Sequence, residues 1–212
     1  MDGGLARLLA ALGGDDYREA LARFLTLHDD ACAALLAVVA GDVPAPPTGA
    51  AGAHPRAVVE DAAEIVYAAA QQWPERFESV VTASPALRRH SSVVYALRNL
   101  RSAGSEAILV AAAQVRAAGN EYLRATAVGS LLVRRSKALT DLLPRLLGDR
   151  ADVVRHAALD AAGRYGDERA LTPLRRIVDN PRRKHWERDK AGHAIARITR
   201  RQASGGGRAT TS

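Results

Sequence analysis

The chain has 212 residues, 4% of them aromatic, and a formal net charge of +7; this length buries a real core and fits one repeat array with a small N-terminal addition better than two globular domains or a bulky sandwich. The single cysteine, Cys32, excludes an internal disulfide or a paired-thiol zinc site and points to a reducing compartment. The most apolar run, residues 31–40, is far short of the ~20 residues of a membrane span, and the opening Met1-Asp2-Gly3-Gly4 lacks the basic lead of a signal peptide, so a cytoplasmic protein is expected.

Charge is distributed unevenly. Residues 1–83 carry 5 Lys/Arg against 12 Asp/Glu, whereas residues 84–201 carry 24 against 11, so the two parts are expected to attract each other or different partners. Arginine outnumbers lysine 27 to 3, a bias read here mainly as the codon usage of a GC-rich bacterial genome.

In chain order, residues 1–40 read as an N-terminal helical segment, with apolar positions at helical spacing over 4–13 and 15–40 and Asp15-Asp16 as a cap and acidic first turn. Residues 41–56 hold Pro44, Pro46, Pro47 and Pro55 with three glycines, which no helix crosses, so a linker is expected there. A helix over 57–71 and another opened by Pro74 form a degenerate capping pair through residue 83. The regular part spans 84–201, with helices expected over 85–102, 105–117, 120–134, 137–147, 151–164, 168–179 and 182–200. Gly104, Gly119, Gly148 and Gly166 stand where C-cap glycines would. Pro144 is expected to kink its helix and Thr172-Pro173 to start one. The glycine-rich tail, 202–212, has nothing to bury and is expected to be disordered.

Four arginines organise the regular part. Arg88, Arg124, Arg155 and Arg188 are separated by 36, 31 and 33 residues, a period that signals a helical repeat array. Three positions after each stand Ser91, Ala127, Ala158 and Ala191, and four further on Tyr95, Leu131, Ala162 and Ile195. Offsets of three and four share one helix face, so the apolar partner recurs where a stacked neighbour needs it. The fold class is therefore all-α, an α-solenoid of helical pairs with a short N-terminal helical segment.

Within 149–180 the pattern is most specific: Asp152-Val153-Val154-Arg155-His156-Ala157-Ala158-Leu159, then Gly163-Arg164-Tyr165-Gly166-Asp167, then Ala170-Leu171 and Leu174, ending at Val178-Asp179. It resembles one unit of the HEAT-like repeat of phycocyanobilin-lyase type, with looser matches over 120–148 and 182–200 and a still looser one over 84–118. The resemblance covers about half the chain and implies architecture rather than activity, since lyases, scaffolds and regulators share this repeat. In that family the repeated arginine pairs with an acid at the end of the preceding helix. Asp149 before Arg155 and Asp179 before Arg188 are the partners this implies.

Cations collect where each second helix meets the next first helix: Arg88, Arg89, Arg116, Arg145, Arg150, Arg175, Arg176, Arg182, Arg183 and Lys184. Acids are fewer there, so the edge suits an acidic protein partner or, as the alternative, a nucleic-acid backbone. Cations also favour helix C-termini through the macrodipole, which needs no ligand. The binding residues expected are Arg116, Arg145, Arg175, Arg176, Arg182, Arg183 and Lys184. His185, Asp189 and His193 share a helix face but span about 12 Å, too far for one ion, and read as a polar outer stripe. Trp186 with Asp189 is the only hint of a glycosylase-like cleft, and no residue set for a lyase chromophore is found. With neither a nucleophile elbow nor a phosphate-binding glycine loop, the expectation is a noncatalytic binding scaffold without metal or cofactor.

Overall fold

A computed structural model of the chain describes residues 8, 11, 17–25, 36 and 55–206. Among them there is helix and no strand. The expected N-terminal helices are described only at residues 8, 11, 17–25 and 36, and 41–54 of the linker and 207–212 of the tail lie outside the described residues.

The helices are α1 (Tyr17–Leu25), α2 (Pro55–Gln72), α3 (Pro74–Ala83), α4 (Ser91–Ala96), α5 (Ala103–Gln114), α6 (Glu121–Arg134), α7 (Ala138–Leu146), α8 (Asp152–Tyr165), α9 (Glu168–Val178) and α10 (His185–Gly206). The chain divides into two compact units, 1–108 and 109–212, the boundary falling inside α5 rather than at Ser84. α2 begins at Pro55, so the last two residues assigned to the linker are helical. A proline there loses nothing, because a first-turn N–H has no intrahelical partner. α10 likewise runs through residues 202–206, which were expected to be disordered. Ser204 Oγ donates to the Arg200 carbonyl at 3.0 Å within that extension.

In the first unit α2 packs against α1, α3 and α4, burying Ile65, Val66, Ala69, Phe77, Val81 and Val94. The continuous helix expected over 85–102 is absent. A 3-10 turn at Leu87–Arg89 is followed by an extended His90, then the six-residue α4, a second 3-10 turn at Leu97–Asn99 and an extended Leu100. Leu87 and Val93 are both buried, yet six residues in one helix would leave them on different faces, and the break at His90 brings both inward. Ser91 and Tyr95 are consequently exposed, so the small and apolar positions of the expected first repeat fail. Ser102 then caps α5, accepting from the Ser105 N–H at 3.0 Å. That start places Gly104 in the first turn of α5, not at a helix end.

The second unit is regular. The first helices of successive pairs, α6, α8 and α10, pack side by side, and α7 and α9 form the second layer against them. Ala127, Ala158 and Ala191 are each fully buried, with Leu131 and Ala162 beside them, while Ile195 on the last helix is half-buried. Small residues let these helices approach closely. In α9 the buried Ala170, Leu174 and Ile177 recur at intervals of four and three, opposite the exposed Arg175 and Arg176. Asp167 caps this helix, accepting from the Arg169 N–H at 3.0 Å. Pro173 therefore lies inside α9 and does not start it. After α6 the left-handed residue is Arg135, at φ 59°, not a glycine; its N–H and that of Ser136 bond the Leu132 and Leu131 carbonyls at 3.1 and 3.0 Å, closing a Schellman turn.

Candidate functional site

Two of the four repeat arginines, Arg124 and Arg155, are buried and reach forward along the array, while Arg88 and Arg188 are half-buried. Arg124, buried on α6, pairs with the Asp149 carboxylate at 3.0 Å, and Asp149 lies just before α8. Arg155, buried on α8, pairs with Glu187 in the first turn of α10 at 2.8 Å and with Asp152 at 2.5 Å. Its Nη1 also donates to the Asp149 and Arg150 carbonyls at 2.9 and 2.8 Å. The backward pairing that the resemblance implied is thus corrected. Asp149 offers Arg155 only its carbonyl because its carboxylate faces Arg124, Glu187 takes the Arg155 guanidinium instead, and among the described residues Arg188 and Asp179 form no ion pair. Arg88 and Arg188 each keep a buried Nε without a hydrogen-bond partner.

These rungs tie three loops together at one edge of the second unit: residues 115–120 between α5 and α6, 147–151 between α7 and α8, and 179–184 between α9 and α10. Arg124 also donates to the Val115 carbonyl at 3.2 Å, and Arg145 to that of Gln114 at 3.3 Å. Lys184 crosses to Asp152 at 2.7 Å. Lys184 and Arg155 together hold the Asp152 carboxyl below the usual carboxylate range. Burial works against the Arg155 charge, but its hydrogen bonds to Glu187 and then Asp152 outweigh that, and its pKa lies above the ordinary arginine value.

Of the expected binding residues, Arg116 and Arg145 come together at a pocket of about 530 Å³, which Arg124, Arg150, Glu121 and Asp149 also line. Arg175 and Arg176 are exposed at the end of α9, with Arg182 exposed and Arg183 half-buried in the following turn. Lys184 is exposed but ion-paired. The side chains of Arg116, Arg150, Arg175, Arg176, Arg182 and Arg183 have no hydrogen bond or ion pair among the described residues. The pocket went unread in the sequence because it needs the α5–α6 and α7–α8 loops side by side. Arg145 and Arg150, five apart across a helix end, were the available sign.

The other candidates are engaged on the surface. Trp186 packs on His156 with ring centroids 4.8 Å apart and lies 5.7 Å from the Lys190 ammonium. Asp189 pairs with His185 at 2.6 Å, and His193 is exposed. Trp186 therefore lies against α8, whereas Asp189 is paired along α10 itself.

The stacked array of helical pairs has a counterpart among known families. Residues 106–196 match the family of HEAT repeats. The matched stretch runs from α5 into α10, so the broken helices around α4, where the repeat register fails, lie outside it. HEAT repeats form scaffolds suited to protein interaction. No curated protein matches the chain. Among the described residues, no helix is long and apolar enough to cross a membrane.

Proposed function

We propose that the chain is a noncatalytic, cytoplasmic binding scaffold that engages an acidic protein partner through the basic edge of its HEAT repeats. The observation that carries this reading is the unpaired state of Arg175, Arg176, Arg182 and Arg183. Most acids elsewhere on the unit are already committed: Asp152 to Arg155 and Lys184, Asp160 to Lys190, and Asp141 and Asp167 to Arg169, which leaves Glu168, exposed at the start of α9, without a cation partner among the described residues. Asp179 is exposed beside the four arginines and offsets part of their charge. Repulsion among unneutralised guanidinium groups is relieved when a partner supplies carboxylates, and such complementarity steers association. The phycocyanobilin-lyase likeness of residues 149–180 is taken for architecture alone.

The test compares the wild-type chain with a variant in which Arg175, Arg176, Arg182 and Arg183 are replaced by Glu, using immobilised polyglutamate and a random DNA duplex across a salt series. Polyglutamate should bind with a mild salt dependence, and the variant should lose it with helical content intact. Binding to duplex that exceeds binding to polyglutamate, with log affinity falling against log salt at a slope of about 0.9 per phosphate neutralised, would establish the nucleic-acid reading instead. Undiminished binding by the variant would remove these arginines from the interface.

A further inference from the structure

We propose that the pocket formed by the α5–α6 and α7–α8 loops is a binding site for a small phosphorylated molecule, held at its phosphoryl group by Arg116, Arg145 and Arg150. The pocket, about 530 Å³, falls within the size range of sites that enclose small ligands. Four guanidinium groups line it against two carboxylates. Arg124 and Asp149 neutralise each other at 3.0 Å, and Asp149 Oδ1 also accepts the Ala151 N–H at 2.9 Å. Glu121 turns its Oε1 to the Gly119 N–H at 3.3 Å. Arg116 and Arg150 have no partner among the described residues, and Arg145 has only the Gln114 carbonyl at 3.3 Å.

The surplus therefore exceeds what one carboxylate neutralises. A phosphoryl group carries about −1.5 to −2 at neutral pH and three strong acceptor oxygens, one for each of three arginines arriving from two loops and a helix end. Guanidinium forks match such oxygens in geometry as well as charge. The start of α6 borders the pocket through Glu121. Asn120 precedes this helix but spends its side chain on the Ala117 and Ala118 carbonyls at 3.3 and 3.4 Å, leaving the helix without a side-chain cap. Uncapped N–H groups at a helix start favour an anion. The site uses residues other than Arg175–Arg183, so it stands or falls apart from the partner reading.

The experiment is calorimetric titration of the full chain with inorganic phosphate and pyrophosphate at constant ionic strength, with sodium acetate as the control anion. Both phosphates should bind saturably, pyrophosphate more tightly. Arg116→Ala, Arg145→Ala and Arg150→Ala should each weaken pyrophosphate by about tenfold. All three sites are exposed, so the folds should hold, and circular dichroism checks this. Arg150→Lys should fall between wild type and Arg150→Ala, since charge remains and the fork is lost. The Arg175/Arg176/Arg182/Arg183 quadruple variant should bind pyrophosphate within about twofold of wild type. No saturable heat up to about 10 mM pyrophosphate, equal response to acetate, or unchanged affinity in the three alanine variants would overturn the proposal. A phosphoserine peptide binding more tightly than pyrophosphate would overturn the small-molecule source, placing the phosphoryl group on a protein.

Discussion

Arg155 and Glu187 meet at 2.8 Å across the α8–α10 interface, the arginine side chain 3% and the glutamate 1% exposed. Two charges this deep cost much desolvation, and what they secure is the register of one helical pair on the next. Arg155→Met strands Glu187 as a buried, uncompensated carboxylate and should cost about 3–5 kcal/mol of unfolding free energy. The double variant Arg155→Met/Glu187→Met should recover most of that. Urea melts of the three proteins read the difference, and a single variant losing under about 1 kcal/mol would mean that the pair is not closed in solution.

Asp152 sits on the exposed side of the same arginine, where Lys184 and then Arg155 hold its carboxyl below the ordinary 3.8. A carboxylate with a depressed native pKa adds stability that is fully present above its unfolded pKa and is lost as pH falls through the native one. Asp152→Asn should therefore melt below wild type by a constant interval between about pH 7 and pH 5, an interval that closes below about pH 4. Melting scans across that range decide it. An interval that persisted into strong acid would assign the effect to something other than the ionised carboxylate.

Much of the second unit was legible in the sequence because its cues are local. Ala127, Ala158 and Ala191 recur at a fixed offset from an arginine, and offsets of three and four translate directly into a helix face. The same cue misled at Ser91 and Tyr95, because their arginine, Arg88, stands in a 3-10 turn and the chain bends at His90 before α4 begins. Periodicity sees spacing but not a single extended residue. Ladder partners were misjudged for a related reason. Asp149 is near Arg155 in sequence and Arg124 is not, yet side-by-side packing of α6 and α8 brings the Asp149 carboxylate to Arg124. The arginine pocket likewise depends on tertiary contact between two loops, so the sequence supplied its cations but not their convergence.

Arg135 is the residue in which the chain leaves α6 through the left-handed region, at φ 59°. A side chain there is strained by roughly 1–2 kcal/mol, while glycine is not. Arg135 is exposed, so little packing is lost on truncation. Arg135→Gly should leave stability unchanged or raise it by up to about 1 kcal/mol, despite the greater freedom of glycine in the unfolded chain. A chemical denaturation midpoint lowered by more than that margin would show that the arginine side chain contributes contacts that outweigh the strain.

Two glycines on the paired helices α8 and α10 should respond to alanine in opposite directions. Gly166 ends α8 with its N–H on the Ala162 carbonyl at 2.9 Å, and Arg201 of α10 holds its carbonyl at 2.6 Å. A Cβ there would stand 2.6 Å from the Ala162 oxygen and 2.8 Å from Ile198 Cδ1. The first neighbour is backbone and cannot move aside, so Gly166→Ala should cost about 1–3 kcal/mol. Gly192 lies within α10 and a Cβ on it would meet nothing within 4 Å. Gly192→Ala therefore gains helix propensity without a clash and should stabilise by about 0.5–1 kcal/mol. Thermal melts of the two variants beside wild type give the signs directly. Stabilisation at both sites would mean that the ends of α8 and α10 are less tightly joined than the Arg201 contacts imply, and loss at both would mean that the open face of α10 is covered in solution.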